Sequence, residues 1–184
     1  MLDGRRKEWF HGGARVYNWS RLRWDRDLTT HSGNAEGPGM YWTTDLEEAW
    51  SYVSPEDPVV YRATQNPGFR YPPRKPTFAK LVELYVQAPP ERQEVFLSDW
   101  GYEWPAPEAI VRATLAPYSR QNTFMDAAVT LYHDLFQHNA DEYVHALLAL
   151  GFDGFVIQRG TTGGSRRRDH LVVWNPFALS IDEI

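Results

Sequence analysis

Two segments of this chain combine bare backbone with side chains that could hold a flat polar ligand. The first is Phe10-His11-Gly12-Gly13, and the second runs from Gly37-Pro38-Gly39 through Tyr41 to Tyr52. Glycines let the backbone approach a bound group closely, and a histidine offers a hydrogen-bonding nitrogen. The two tyrosines offer aromatic faces, which attract a cationic ring by about 0.5–2 kcal/mol. Together these residues suit a flat polar ring attached to a ribose, for which nicotinamide is the obvious candidate.

The elements that must position these residues follow from the local pattern. Residues 8–11 and 40–43 are predicted to be short strands, and Thr44 or Asp45 can N-cap a helix that runs to about Val53. The apolar residues of this helix share one face at spacings of three and four: Leu46, Ala49, Trp50 and Val53. Tyr41 would therefore lie on a strand, and Tyr52 near the end of the helix.

The rest of the chain predicts a single α+β domain over residues 1–184. Alternating or apolar patterns predict strands over residues 59–63, 78–86, 154–158 and 170–174. Helical spacing predicts helices over residues 108–115, 126–136 and 141–150, the last ended by Gly151. Residues 65–76 hold four prolines and one glycine and are predicted to be irregular. The remainder of residues 87–122 is also expected to be irregular.

Four segments, in this order, resemble the ADP-ribosyltransferase superfamily, in its diphtheria-toxin-like and poly-ADP-ribose-polymerase-like branch. His11-Gly12 is similar to the first strand of that branch, and Gly37-Pro38-Gly39-Met40-Tyr41 to its Gly-x-Gly-x-Tyr motif. Tyr52 follows Tyr41 after ten intervening residues, the interval between the two tyrosines of the family. Residues 150–157 (LGFDGFVI) and 171–176 (LVVWNP) are similar to two later strands of the family. The resemblance covers residues 8–63 and 141–181, and the middle of the chain is not matched.

The resemblance implies a split, mostly antiparallel β core with two small sheets around an NAD⁺ cleft, together with short helices. It also implies mono-ADP-ribosyl transfer from NAD⁺, a consumed substrate, to a protein or nucleic-acid acceptor with release of nicotinamide. It assigns His11 to a ribose hydroxyl, the Gly12 backbone to the nicotinamide carboxamide, and Tyr41 and Tyr52 to stacking on the ring. Ala49 stands where many polymerase-type relatives carry a serine that bonds the carboxamide. Small enzymes of this family also occur in bacteriophages and as bacterial effectors.

The third catalytic position departs from the family, which usually places a glutamate at the start of the last matched strand. Here that position falls on His170, with Asp169 beside it. A neutral histidine can accept a hydrogen bond but brings no negative charge, and alternation places the two residues on opposite faces of the strand. Three alternatives stay open: a substrate that completes the site of a transferase, Asp169 as the acid, or binding without turnover. An NAD⁺ glycohydrolase or a non-catalytic interaction module would share the same residues.

Two basic segments are candidates for contact with the acceptor. Arg166, Arg167 and Arg168 lie in a glycine-containing loop that faces the acceptor in the superfamily, and three guanidiniums suit a phosphate-bearing or acidic target. A solvated surface loop is the alternative interpretation. A second cluster of aromatic and basic residues could stack on bases or form a surface helix: Trp19, Arg21, Arg23, Trp24 and Arg26.

Composition limits the remaining possibilities. The chain has 184 residues, a formal net charge of −5 and 42% hydrophobic residues, so it can bury a core but lacks the overall basic charge typical of nucleic-acid binding. The absence of cysteine excludes disulfides, thiolate zinc sites and a cysteine nucleophile. No metal site is predicted, since His133, His138 and His145 do not share one helical face. With no signal segment and no long apolar run, a cytoplasmic protein without membrane contact is expected.

Overall fold

The computed structural model describes residues 7–19, 38–75, 77–100, 106–115, 123–158 and 169–184. In these ranges the strands are β1 (Glu8–Ala14), β2 (Met40–Thr43), β3 (Pro58–Gln65), β4 (Gly154–Gln158), β5 (Asp169–Val173) and β6 (Leu179–Glu183). The α-helices are α1 (Leu46–Trp50), α2 (Phe78–Val86), α3 (Pro90–Trp100), α4 (Pro107–Leu115), α5 (Phe124–Asp134) and α6 (Ala140–Ala149). A 3₁₀ turn over Pro176–Ala178 connects β5 and β6. The predicted α+β class is confirmed.

The strands form one curled antiparallel sheet in the order β4-β5-β2-β1-β3-β6. β1 pairs with β3 along its whole length, from Glu8 opposite Thr64 to Ala14 opposite Pro58. In contrast, β1 pairs with β2 at one position, Phe10 opposite Thr43. The sheet therefore consists of two three-stranded halves joined at a single pair. The split core with two separate small sheets is not confirmed, because all described strands belong to one sheet.

Helix α2 contradicts the predicted strand over residues 78–86. Leu81, Leu84 and Tyr85 are buried, and their spacing of three and four residues is that of one helical face. Thr77 precedes the helix in an extended conformation and occupies the N-cap position. The partial alternation of apolar residues in this segment fits a strand as well as a helix, and packing against the core favours the helix.

Helix α3 lies in a region that was predicted to be irregular. Pro90 is the first residue of this helix, a position at which proline costs nothing because the first-turn N–H groups have no partner inside the helix. Because residues 87–122 are rich in proline, Pro90 was interpreted as part of an irregular segment and not as the start of a helix. The other predicted helices are confirmed with ends that shift by a few residues.

The two later segments of the family resemblance meet at a buried carboxylate. Asp153 accepts hydrogen bonds from the main-chain N–H of Arg70 (2.9 Å), from the Arg70 guanidinium and from the side-chain amide of Asn175 (2.8 Å). Its own carbonyl accepts from the N–H groups of Trp174 and Asn175. Burial acts to raise the pKa of Asp153, but the hydrogen bonds from Arg70 and Asn175 outweigh it and lower the pKa. In this structure the Asp-Gly motif anchors the sheet.

No helix in the described part of the chain combines the length and the apolar character needed to cross a membrane.

Candidate functional site

Helix α1 packs over the position where the two halves of the sheet meet. Asp45 caps this helix, since its carboxylate accepts hydrogen bonds from the N–H groups of Glu47 and Glu48. On one side α1 packs closely on β1: a Cβ added at Gly12 would lie 1.8 Å from the carbonyl oxygen of Ala49. On the other side Glu48 reaches β5. Gly12 is therefore required by helix packing, independently of any ligand.

The main chain of Gly12 faces the gap between β1 and β2. Gly12 lies opposite Val60 of β3, and the Val60 carbonyl accepts a hydrogen bond from Ile184, on the side of β6. Main-chain groups alternate in direction along an antiparallel strand, so the N–H and C=O of Gly12 point away from β3. Among the described residues, β2 pairs with β1 only at Phe10. A donor and an acceptor on one residue are thus presented side by side at the gap.

His11 spans this gap with its side chain. Its Nδ1 lies 2.8 Å from the main-chain oxygen of Tyr41, and because a carbonyl only accepts, Nδ1 carries the proton and Nε2 holds the lone pair. A Cβ added at Gly13 would lie 3.2 Å from this Nε2. Burial lowers the pKa of His11, and the hydrogen bond to Tyr41 offsets only part of this effect. The imidazole is therefore neutral at pH 7 and offers an acceptor nitrogen.

The two tyrosines of the resemblance are placed differently. The Tyr41 side chain is half-buried and packs against the hydrophobic core. Tyr52 follows α1, with its N–H bonded to the carbonyl of Ala49, and its side chain is 51% exposed. Trp50 is equally exposed and Leu46 is 39% exposed, so much of the apolar face of α1 points to solvent. Stacking of both rings on one ligand stays a prediction.

A buried cluster of polar side chains joins α1, β2 and β5. His170 on β5 has its Nε2 3.2 Å from Oε2 of Glu48, and the same oxygen accepts a hydrogen bond from the Thr43 hydroxyl at 2.5 Å. The Thr43 hydroxyl in turn accepts from the N–H of Asp45. The side chains of His170 and Glu48 are 11% and 12% exposed. The position that the resemblance matches to a glutamate is thus occupied by a histidine that contacts a glutamate from another element.

Asp169 does not take part in this cluster. Its Oδ2 pairs with Nζ of Lys7 at 2.5 Å, and that Nζ lies 4.5 Å above the ring of Trp9. The main-chain oxygen of Asp169 accepts a hydrogen bond from the N–H of Thr44, which holds the start of β5 next to β2. Asp169 and His170, neighbours in the sequence, therefore contact different sets of residues. Of these two residues, only His170 contacts the carboxylate of Glu48, so the arrangement favours His170 over Asp169 at the third catalytic position.

Sequence reasoning missed Glu48 and Thr43. Both residues lie inside the segment that carries the resemblance, but a glutamate in the first turn of a helix is common because it interacts favourably with the helix dipole. The partner of Glu48 is 122 residues away. Only the three-dimensional pairing of β2 with β5, which sets Thr43 opposite His170, shows that these side chains meet.

All six arginines assigned to the acceptor, and one of the two tryptophans, lie outside the described residues. This applies to Arg166, Arg167 and Arg168, and also to four members of the second cluster: Arg21, Arg23, Trp24 and Arg26. Trp19 is described, and its ring packs edge-on against Tyr61 with centroids 5.1 Å apart. An acceptor-binding role for these residues stays a prediction.

Comparison with known protein families, with curated proteins and with solved structures finds no match to this chain. Its function must therefore be inferred from its own residues and their geometry.

Proposed function

We propose that this chain binds NAD⁺ at the gap between β1 and β2 and transfers ADP-ribose to a macromolecular acceptor, with release of nicotinamide. The observation that carries the proposal is the direction of the Gly12 main chain. Its N–H and C=O both face the gap, where β2 provides no pairing partner. A primary carboxamide has one acceptor oxygen and one donor NH₂ group, so it can bond both main-chain groups of a single residue.

The histidine beside Gly12 has the protonation state that ribose recognition requires. A ribose hydroxyl is a hydrogen-bond donor, and Nε2 of neutral His11 is an acceptor. The hydrogen bond from Nδ1 to the Tyr41 carbonyl fixes the ring in this tautomer. Carboxamide and ribose are neighbouring parts of one half of NAD⁺, and the two groups proposed to bind them are neighbours on β1.

The reaction breaks the bond between the anomeric carbon and nicotinamide through a transition state with positive charge on the sugar. A site for this reaction must hold both parts of the bond and place negative charge or lone pairs near the sugar. Tyr41 and Tyr52 are proposed to contact the nicotinamide ring, and Arg166, Arg167 and Arg168 to contact the acceptor. A phosphate-bearing or acidic acceptor, which includes nucleic acid, is the class that these arginines favour.

Incubation of the protein with NAD⁺ labelled in its adenine tests the proposal, with nicotinamide release followed by chromatography and label transfer followed on a gel. His11→Ala is the matched variant, since it removes the acceptor nitrogen at a half-buried position. We expect the wild type to release nicotinamide and label a macromolecule when a cell extract supplies acceptors, and the variant to lose most of this activity.

The products separate the alternatives. Free ADP-ribose in place of labelled macromolecule would indicate an NAD⁺ glycohydrolase. A well-folded wild type that neither binds NAD⁺ nor releases nicotinamide would contradict the proposal and favour a non-catalytic interaction module.

A further inference from the structure

The hydrogen bonds around Glu48 have a defined direction. The N–H of Asp45 donates to the Thr43 hydroxyl, so that hydroxyl uses its own proton to donate to Glu48 Oε2. The second contact of Oε2 is Nε2 of His170. A carboxylate accepts and cannot donate. Nε2 of His170 therefore carries a proton, and in the neutral ring the lone pair lies on Nδ1.

This arrangement places a negative charge, which a histidine side chain lacks, next to His170. A carboxylate bonded to one nitrogen of an imidazole fixes the tautomer and stabilises the positive charge that appears when the other nitrogen takes up a proton. The pair is largely buried, where water screens it less than at the surface. The other acidic residue of α1, Glu47, is exposed to solvent. Glu48 differs from it by its contact with His170 on β5.

We infer that Glu48 is the positioning residue that supplies the negative charge absent from position 170, and that it acts through His170 on the reacting ribose and acceptor. This inference rests on the proposed function. It replaces the three alternatives for the third catalytic position with a histidine–glutamate pair built from β5 and α1. It also removes the need for Asp169, whose carboxylate pairs with Lys7.

The step can be written with every electron pair and proton assigned. The bond from the anomeric carbon to the nicotinamide nitrogen breaks, and its electron pair neutralises the pyridinium as nicotinamide leaves. A hydroxyl of the acceptor attacks the anomeric carbon, and its proton passes to Nδ1 of His170. The resulting imidazolium is stabilised by the carboxylate of Glu48. Both charges that develop, on the sugar and on the imidazole, are positive and are compensated by the same carboxylate.

Three variants test this role: Glu48→Gln, Glu48→Asp and, as the control, Glu47→Gln. Glu48→Gln keeps the shape and an acceptor oxygen but removes the charge, so we expect kcat for nicotinamide release to fall by at least about 100-fold, a loss typical of impaired acid–base catalysis. KM for NAD⁺ should change by no more than about threefold, because the charge acts on the transition state. Glu48→Asp should recover part of the loss, and Glu47→Gln should equal the wild type.

A second readout concerns His170 directly and needs no turnover. Nitrogen-15 chemical shifts of the histidine rings report which nitrogen carries the proton. We expect the wild type to have its His170 proton on Nε2, and Glu48→Gln to reduce this preference while the protein stays folded. A purely structural contribution of Glu48 would lower stability without the split between kcat and KM.

The outcomes separate the two levels of the account. A wild type that binds and turns over NAD⁺ together with a fully active Glu48→Gln variant would overturn the role of Glu48 and leave the proposed function standing. A His170 proton on Nδ1 in the wild type would also overturn it. Absence of NAD⁺ binding and turnover in a folded wild type would overturn the proposed function and the role of Glu48 with it.

Discussion

The two edges of β1 behave differently, although both face an antiparallel neighbour. Toward β3 the strand is paired along its whole length, and toward β2 it is paired at Phe10 alone. Beyond this pair, the imidazole of His11 contacts the Tyr41 carbonyl, and helix α1 packs on Gly12. One edge of the strand therefore contributes stability through regular pairing, and the other presents main-chain and side-chain groups at a gap.

This difference explains the glycine at position 12 of the strand. A fully paired central strand gains nothing from glycine, which weakens it. At the gap, Gly12 lets α1 approach to a distance that no side chain would permit, and α1 in turn carries Glu48 to His170. The close contact at Gly12 and the polar cluster on β5 are thus two consequences of the position of α1.

The largest expected effect comes from a substitution at Gly12, on the edge of β1 that faces β2. Gly12→Ala places a methyl group where the Ala49 carbonyl lies, so α1 must shift, and we expect a loss of about 3 kcal/mol in the free energy of unfolding, at the upper end for overpacking. Gly13→Ala meets only the end of the His11 ring at 3.2 Å. It should cost less than about 1 kcal/mol, since the end of a side chain can give way by a few tenths of an ångström where a main-chain carbonyl cannot. Urea unfolding of both variants measures the contrast, and equal losses would contradict it.

An intermediate effect concerns the anchor of the other half of the sheet. Asp153→Asn removes a buried charge bonded to Arg70 and Asn175, and we expect a loss of about 2 kcal/mol at pH 7, as for hydrogen bonds to charged groups. The pKa of Asp153 is lower in the folded state than in the unfolded state. Its contribution is therefore present above the ordinary value near 3.8 and is lost as the pH falls through the folded-state value.

Unfolding measured from pH 7 to pH 3 checks this sign. The stability difference between the wild type and Asp153→Asn should narrow as the pH falls. A difference that stays constant over the whole range would show that the charge of Asp153 is not what stabilises the fold.

The smallest expected effect concerns two exposed aromatic side chains near the gap between β1 and β2, those of Trp50 and Tyr52. Tyr52→Ala should weaken NAD⁺ binding by about threefold, the lower range for a cation–π contact at an exposed site. Trp50 is just as exposed, and Trp50→Ala should leave the affinity unchanged. Calorimetric titration measures both. If Trp50→Ala has the larger effect, a different face of α1 contacts the ligand.

Several elements near the two ends of the chain were predicted from the sequence because their signals are local, although β6 was not predicted and β1 extends through Gly12 and Gly13, beyond the predicted residues 8–11. The N-cap at Asp45 and Gly151 after α6 depend on neighbouring residues only. The apolar pattern of residues 78–86 fits the period of a strand as well as that of a helix, and packing against the core favours the helix. Proline at the start of α3 was interpreted as a sign of irregular structure.

The candidate site could be predicted only in part. His11, Gly12, Tyr41 and His170 were named as candidates because the motifs of the resemblance include their positions. The direction of the Gly12 main chain depends on the register between β1, β3 and β6, which no local pattern contains. The contact of Glu48 with His170 depends on α1 lying across two strands, so neither residue indicates the other in the sequence.

The most direct test of the central claim labels the protein with nitrogen-15 and follows the amide resonance of Gly12 during titration with nicotinamide. A hydrogen bond from the Gly12 N–H to the carboxamide oxygen should move this resonance in a saturable manner. Gly68, with open space around it, should not respond, and nicotinic acid should bind more weakly because it lacks the donor NH₂ group. A Gly12 resonance that stays in place at saturating NAD⁺ and nicotinamide would contradict the account.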